Sequence, residues 1–133
     1  MDKKTLLKIA APPLFVLAFH ILASIAGWYE NFWWFDIPLH LMGGFAVVLS
    51  ASIMLNDFKA HGKFNVAWKP LNILILIGFG AMAAIAWEIL EFTLDIYFHT
   101  NLQASLVDTM KDMAMGIIGG GVSAILVSIK PKK

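Results

Sequence analysis

Neither cysteine nor arginine occurs in this chain of 133 residues. Without cysteine there are no disulfides and no thiolate metal sites, and the redox compartment cannot be read from the sequence. Without arginine, every basic side chain other than the four histidines is a lysine. Charge of either sign is scarce, at 14%, where a soluble domain carries roughly a quarter. The formal net charge is +1, so the basic footprint of a nucleic-acid partner is missing. The sequence contains no GxSxG, HExxH or phosphate-loop motif, and therefore none of the commonest motif-borne chemistries. Internal repeats and low-complexity segments are also missing.

What the chain has in abundance is apolar surface. It is 59% hydrophobic, with a mean hydropathy of +0.76. That composition indicates an all-α, polytopic integral membrane protein forming one transmembrane domain over residues 1–133. A membrane helix needs roughly 20 mostly apolar residues. Four stretches qualify, at about 6–28, 37–55, 71–90 and 106–129, and together predict a four-transmembrane-helix bundle. The N-terminal stretch begins like a signal peptide, but its apolar run is long and lacks a clear small-residue cleavage site. It is expected to be retained as the first span.

Lysine placement predicts the orientation. Lys3, Lys4 and Lys8 precede the first span, Lys59, Lys63 and Lys69 lie between the second and third, and Lys130, Lys132 and Lys133 follow the fourth. Basic residues flank spans on the cytoplasmic side, so both termini are expected in the cytoplasm. The localisation implied is the cell membrane, multi-pass, of a bacterial or archaeal type.

The acids take the opposite pattern and converge at one depth. Asp36 and His40 are four residues apart at the outer start of the second span. Glu88 and Glu91 are three apart at the outer end of the third. Asp108 and Asp112 are four apart at the outer start of the fourth. Each spacing places its pair on one helix face, and each pair covers about one turn of depth. Asp95 follows on the stripe of Glu88 and Glu91, and Lys111 is beside Asp108. His20 is the only histidine of the first span. A charged group facing lipid costs roughly 2.5–3.5 kcal/mol on insertion scales, so these residues are expected to turn inward and share a site. Carboxylates with one imidazole and no thiol suit a divalent cation: Mg, Mn, Ca, Fe or Zn. The candidate ligands are Asp36, His40, Glu88, Glu91, Asp108 and Asp112. His20, Asp95 and Lys111 are accessory candidates.

Simpler local roles compete with this. Asp36 is placed to N-cap the second span, with Pro38 in its first turn. Ser105 and Asp108 have the spacing of a capping box. Neither role accounts for His40, Glu88 or Asp112, which lie deeper. His20 has a competing role as a hydrogen-bonded interior histidine, and Lys111 as an internal cation for the cluster. Small residues in "HLMGGF", "GFGAMAAIA" and "MGIIGGGVSA" permit close helix approach, which would draw the three acidic pairs together. They also leave open a homo-oligomer formed through small-residue faces.

Asp36-x-x-x-His40, Glu88-x-x-Glu91 and "DTMKDMAMG" at 108–116, in that order on successive spans, resemble the VanZ-like superfamily of small bacterial membrane proteins. They are closest to its YjdF-type inner-membrane branch. The resemblance implies a compact polytopic bundle with a polar cluster and supplies no substrate. Ile37 stands where VanZ has a basic residue, and the arginine of that family's central segment has no counterpart, so glycopeptide resistance is not implied.

Three functions remain open on these residues. The first is binding of a divalent cation near the outer membrane face, together with a lipid head group. The second is a membrane metalloenzyme hydrolysing a lipid ester or phosphoester, with Glu88 or Glu91 as the candidate catalytic base. The third is a proton or metal-ion transporter, against which the near absence of buried polar groups in the cytoplasmic halves counts. The partner expected in each case is membrane lipid, without nucleic acid.

Overall fold

The computed structural model describes residues 1–129; Lys130, Lys132 and Lys133, which carry part of the orientation argument, lie outside the described residues. Five helices follow one another: α1 (Lys3–Ile25), α2 (Trp28–Asn31), α3 (Asp36–Ala60), α4 (Lys69–Phe98) and α5 (Leu106–Ile129). Among the described residues, α1, α3, α4 and α5 are long and apolar enough to cross a membrane. The chain is an all-helical, multi-pass membrane protein. Much of its large apolar surface, including Leu7, Phe15, Ile25, Leu74, Met82 and Ile89, faces outward. In water such a surface would drive association; along a spanning helix it meets hydrocarbon.

Local chemistry sets the helix ends. Asp2 caps α1, its Oδ1 accepting from the Thr5 N–H at 2.7 Å. Gly27, at φ +68°, turns the chain out of α1 into the single turn of α2. At α3 the expected cap is not made. Phe35 occupies the cap position, and Asp36 is the first helical residue, where its charge favours the helix N-terminus. Its carboxylate therefore remains available for other contacts. Helix α4 runs from Lys69 to Phe98, eight residues past the predicted end, and closes at His99 with φ +53°. The Ser105 hydroxyl accepts from the Asp108 N–H at 3.1 Å, which gives α5 half of the predicted capping box.

Backbone contact between α3 and α5 holds the bundle together. A Cβ added at Gly44 would overlap the Gly116 carbonyl, and one at Gly119 would overlap the Leu41 carbonyl. Helix α5 also lies against α4, less tightly, where Gly80 faces Gly120 and the Ala84 methyl lies over Gly116. Close approach through small residues substitutes for the hydrophobic drive that lipid removes. These small faces, including Gly116 and Gly120, are buried within a single chain. An apolar cluster of Val48, Ala51, Leu55, Leu76 and Ala124 fills the end near the 61–68 connection. At the opposite end Ala23, Phe35 and Leu39 pack with Phe19 and Tyr29, and the rings of Phe19, Trp28, Tyr29 and Phe35 meet mostly edge-on. Helix α1 lies along α3 and buries little more than Ala23.

Candidate functional site

Because α3 and α5 start, and α4 ends, at the same end of the bundle, the Gly44–Gly116 contact brings three acidic pairs together. Glu88, Glu91 and Asp112 are 4%, 8% and 3% exposed. These are the buried ionisable residues among those described, and all lie at this end. Two sets of side chains each present one ligand atom within 4.8 Å of the others: Asp36, His40 and Asp112, and His40, Glu88 and Glu91. His40 belongs to both.

His40 is oriented from its own helix. Its Nε2 lies 3.1 Å from Asp36 Oδ1, one turn earlier, while its Nδ1 lies 3.8 Å from Glu88 Oε1 on α4. A neutral imidazole carries one N–H and one lone pair. In the tautomer that carries its proton on Nε2, beside Asp36, the Nδ1 lone pair is on the side of Glu88.

Each glutamate has one oxygen already engaged. Glu91 Oε1 accepts from the Trp87 indole N–H at 2.7 Å. Glu88 Oε2 accepts from Gln103 Nε2 at 3.1 Å, and the same amide reaches the Glu88 carbonyl at 3.0 Å. The other oxygen of Glu88, Oε1, is buried without a hydrogen-bond partner, as is Asp112 Oδ1. Leaving a buried carboxylate oxygen unpaired costs free energy. Partners on one oxygen and none on the other is how ligating carboxylates are commonly held.

The remaining candidates fall outside the two sets. Asp108 pairs with Lys111 Nζ, which also lies 3.6 Å from Asp112 Oδ1. Lys111 is thus a cation for Asp108 and Asp112, while the same end of the bundle holds three further carboxylates, Asp36, Glu88 and Glu91. Asp95 is half-buried and belongs to neither set. It accepts from the Thr100 hydroxyl and from the Leu102 and Gln103 N–H groups at 2.8 and 2.9 Å, pinning the connection that brings Gln103 to Glu88. His20 is the hydrogen-bonded interior histidine: Nδ1 lies 2.5 Å from the Tyr29 hydroxyl, and its ring meets Trp87 edge-on. Burial, then Asp36, Glu91 and Asp112, raise the Tyr29 phenol above its ordinary range, so this hydroxyl stays protonated beside His20. His61 and His99 are exposed at helix ends.

Sequence reasoning missed Trp87, Tyr29 and Gln103. Trp87 was readable, four residues before Glu91 on the same face. Gln103 was not, because it sits in a connection with no periodicity and reaches 15 residues back. The expected lack of buried polar groups in the other half also needs correction. Ser50, Ser52 and Ser123 are buried there, since their small side chains fit where the helices nearly touch.

A family model described as "Predicted membrane protein (DUF2238)" matches residues 6–133, and the chain belongs to that family. This corrects the resemblance to the VanZ-like superfamily and its YjdF-type branch. An Asp–His pair at i,i+4 and a Glu–Glu pair at i,i+3 are spacings that any inward-facing polar centre on helices requires, so they do not distinguish families. A protein of Thermotoga maritima, described as uncharacterized, is 28% identical over 102 residues. The match covers 74% of this chain and 50% of that relative, so the chain spans about half the relative's length. No solved structure matches.

Proposed function

We propose that this member of the DUF2238 family holds a divalent cation at the acidic end of its bundle, and that His40 Nδ1, Glu88 and Glu91 are the principal ligands. Asp36 orients the imidazole from behind, while Trp87 and Gln103 orient the glutamates. Asp112 supplies a further carboxylate from α5, and Lys111 with Asp108 borders the centre. The observation that carries this reading is the buried Glu88 Oε1, which has no hydrogen-bond partner and belongs to the set of His40, Glu88 and Glu91. A cation held by that set would compensate it; Asp112 Oδ1, likewise without a hydrogen bond, belongs to the neighbouring set with Asp36 and His40. The donor set is oxygen-rich with one imidazole, which suits Mg²⁺, Mn²⁺, Ca²⁺ or Fe²⁺ and admits Zn²⁺.

The lysine pattern puts this centre near the outer face of the membrane, with both termini inside. Transport has less support, because the buried ionisable groups cluster at one end and the other half adds serines alone. The test is thermal unfolding of purified protein with each cation and with chelator. A ligand that binds the folded state at a hundred times its Kd stabilises by about 2.7 kcal/mol. Wild type should gain stability with the bound cation, and Glu88→Gln should respond much less. Equal curves for both proteins in every condition would refute the reading.

A further inference from the structure

The end of the bundle opposite the acidic centre holds a pocket of about 460 Å³. It lies between α3, α4 and the last turns of α5, beside the 61–68 connection, whose Phe64 packs on the apolar cluster. Lys59, Lys69, Asn56 and Asn72 bring polar groups from the ends of α3 and α4, while Leu49 and Leu76 line the pocket further along the spans. By helical rise, Leu49 lies roughly 15 Å below Lys59. The pocket therefore runs from the membrane–water boundary into the hydrocarbon layer, with lysines at its wet end and leucines at its deep end.

Its electrostatic sign is positive. Two lysines and no carboxylate line it. Asp57, beside Asn56 in the chain, lies 3.5 Å from His61. Among the described residues neither lysine makes an ion pair. Helix α4 begins here without a side-chain cap, so the positive end of its dipole adds to the lysines. The carbonyls of Asp57, Phe58 and Lys59, which would oppose that charge, accept from the Gly62, Lys63 and His61 N–H groups that follow α3. On the α5 wall, Ser128 Oγ is buried without a hydrogen-bond partner, and a hydroxyl there can donate to an anion.

We propose that this pocket takes the phosphodiester head group of an anionic phospholipid from the leaflet on the lysine side. Lys59 and Lys69 pair with the phosphate, Asn56 and Asn72 donate to head-group oxygens, and the first carbons of an acyl chain lie on Leu49 and Leu76. A free phosphate would use the charge but not the apolar depth beneath it. Trp68, exposed beside Lys69, suits the interfacial level at which head groups lie. The lysine pattern assigns this end to the cytoplasm, and basic pockets between spans on that side hold anionic head groups. The site stands apart from the cation reading, which concerns the other end.

The experiment mixes full-length protein in dodecyl maltoside with equal amounts of phosphatidylglycerol and phosphatidylcholine, and reads retained lipid by native mass spectrometry. Wild type should retain phosphatidylglycerol in preference to phosphatidylcholine. Lys59→Gln and Lys69→Gln should each lower that affinity roughly fivefold, the effect of one lysine near an anionic lipid surface. Lys63→Gln is the control, since Lys63 is exposed in the same connection but does not line the pocket. Asn72→Leu leaves the charge unchanged, fills the pocket and should lower retention several-fold; if it does not fold, the exposed lysine variants carry the test. Equal losses in the Lys59, Lys69 and Lys63 variants would reduce the effect to general surface charge and overturn the site, as would equal retention of the two lipids. Release of the lipid by excess inorganic phosphate would make the ligand a free anion and overturn the lipid assignment.

Discussion

His40 Nε2 lies 3.1 Å from Asp36 Oδ1, one turn back along α3, and this contact decides which imidazole nitrogen faces the glutamates of α4. A histidine held by a carboxylate through one nitrogen, with the other directed at a cluster of acids, is the arrangement expected of a metal ligand with an outer partner.

Asp36→Asn should therefore weaken cation binding without abolishing it. Loss of an outer carboxylate partner typically costs 10- to 100-fold in affinity. Titration of Mn²⁺ followed by electron paramagnetic resonance measures this directly. An unchanged affinity would remove Asp36 from the account.

Gln103→Leu frees Glu88 Oε2 and should lower affinity by a comparable factor. Asp95→Ala should act more weakly, through the loop, by releasing the Thr100, Leu102 and Gln103 contacts. Hydrogen exchange over residues 99–105 should accelerate in Asp95→Ala and stay near wild type in Gln103→Leu. Equal exchange in both variants would mean that Asp95 does not fasten this connection.

The spans were legible because hydropathy and length alone fix them. The convergence of Asp36, His40, Glu88, Glu91 and Asp112 was legible because helix periodicity puts each pair on one face and lipid makes the outward face costly. The end of α4 was less so. Residues 91–98 carry two acids, which lowers hydropathy, yet Glu91 turns inward and Asp95 is satisfied by the following loop. Division of labour within the cluster was legible only in part. Asp108 and Lys111 are three apart on one helix, so their pairing follows from spacing, whereas the return of Gln103 to Glu88 depends on the course of the connection after α4. How far α5 slides along α3 is set by Gly44 meeting Gly116 and by Gly119 meeting Leu41.

The glycines divide into two classes that stability measurements should separate. Gly44→Ala forces α3 and α5 apart and should cost about 1–3 kcal/mol, as overpacking does. It should also lower cation affinity by moving His40 away from Asp112. Gly121→Ala, whose Cβ meets nothing within 4 Å, should instead stabilise by about 0.5–1 kcal/mol. Thermal unfolding in detergent compares them; equal and opposite assignments would contradict the described packing.

Orientation is testable in intact cells with single cysteines, since the chain has none of its own. Asn101→Cys should react with an impermeant thiol reagent added outside, and Ala60→Cys should not. Labelling of Ala60→Cys alone would place the acidic centre on the inner face.

Metal content bears most directly on the central claim. Protein purified without chelator, analysed by inductively coupled plasma mass spectrometry, should carry close to one divalent cation per chain. The Glu88→Gln, Glu91→Gln double variant should carry almost none while remaining folded, because neutral amides are easier to bury than carboxylates. A wild type without bound divalent metal, or a double variant with the same content as wild type, would contradict the account.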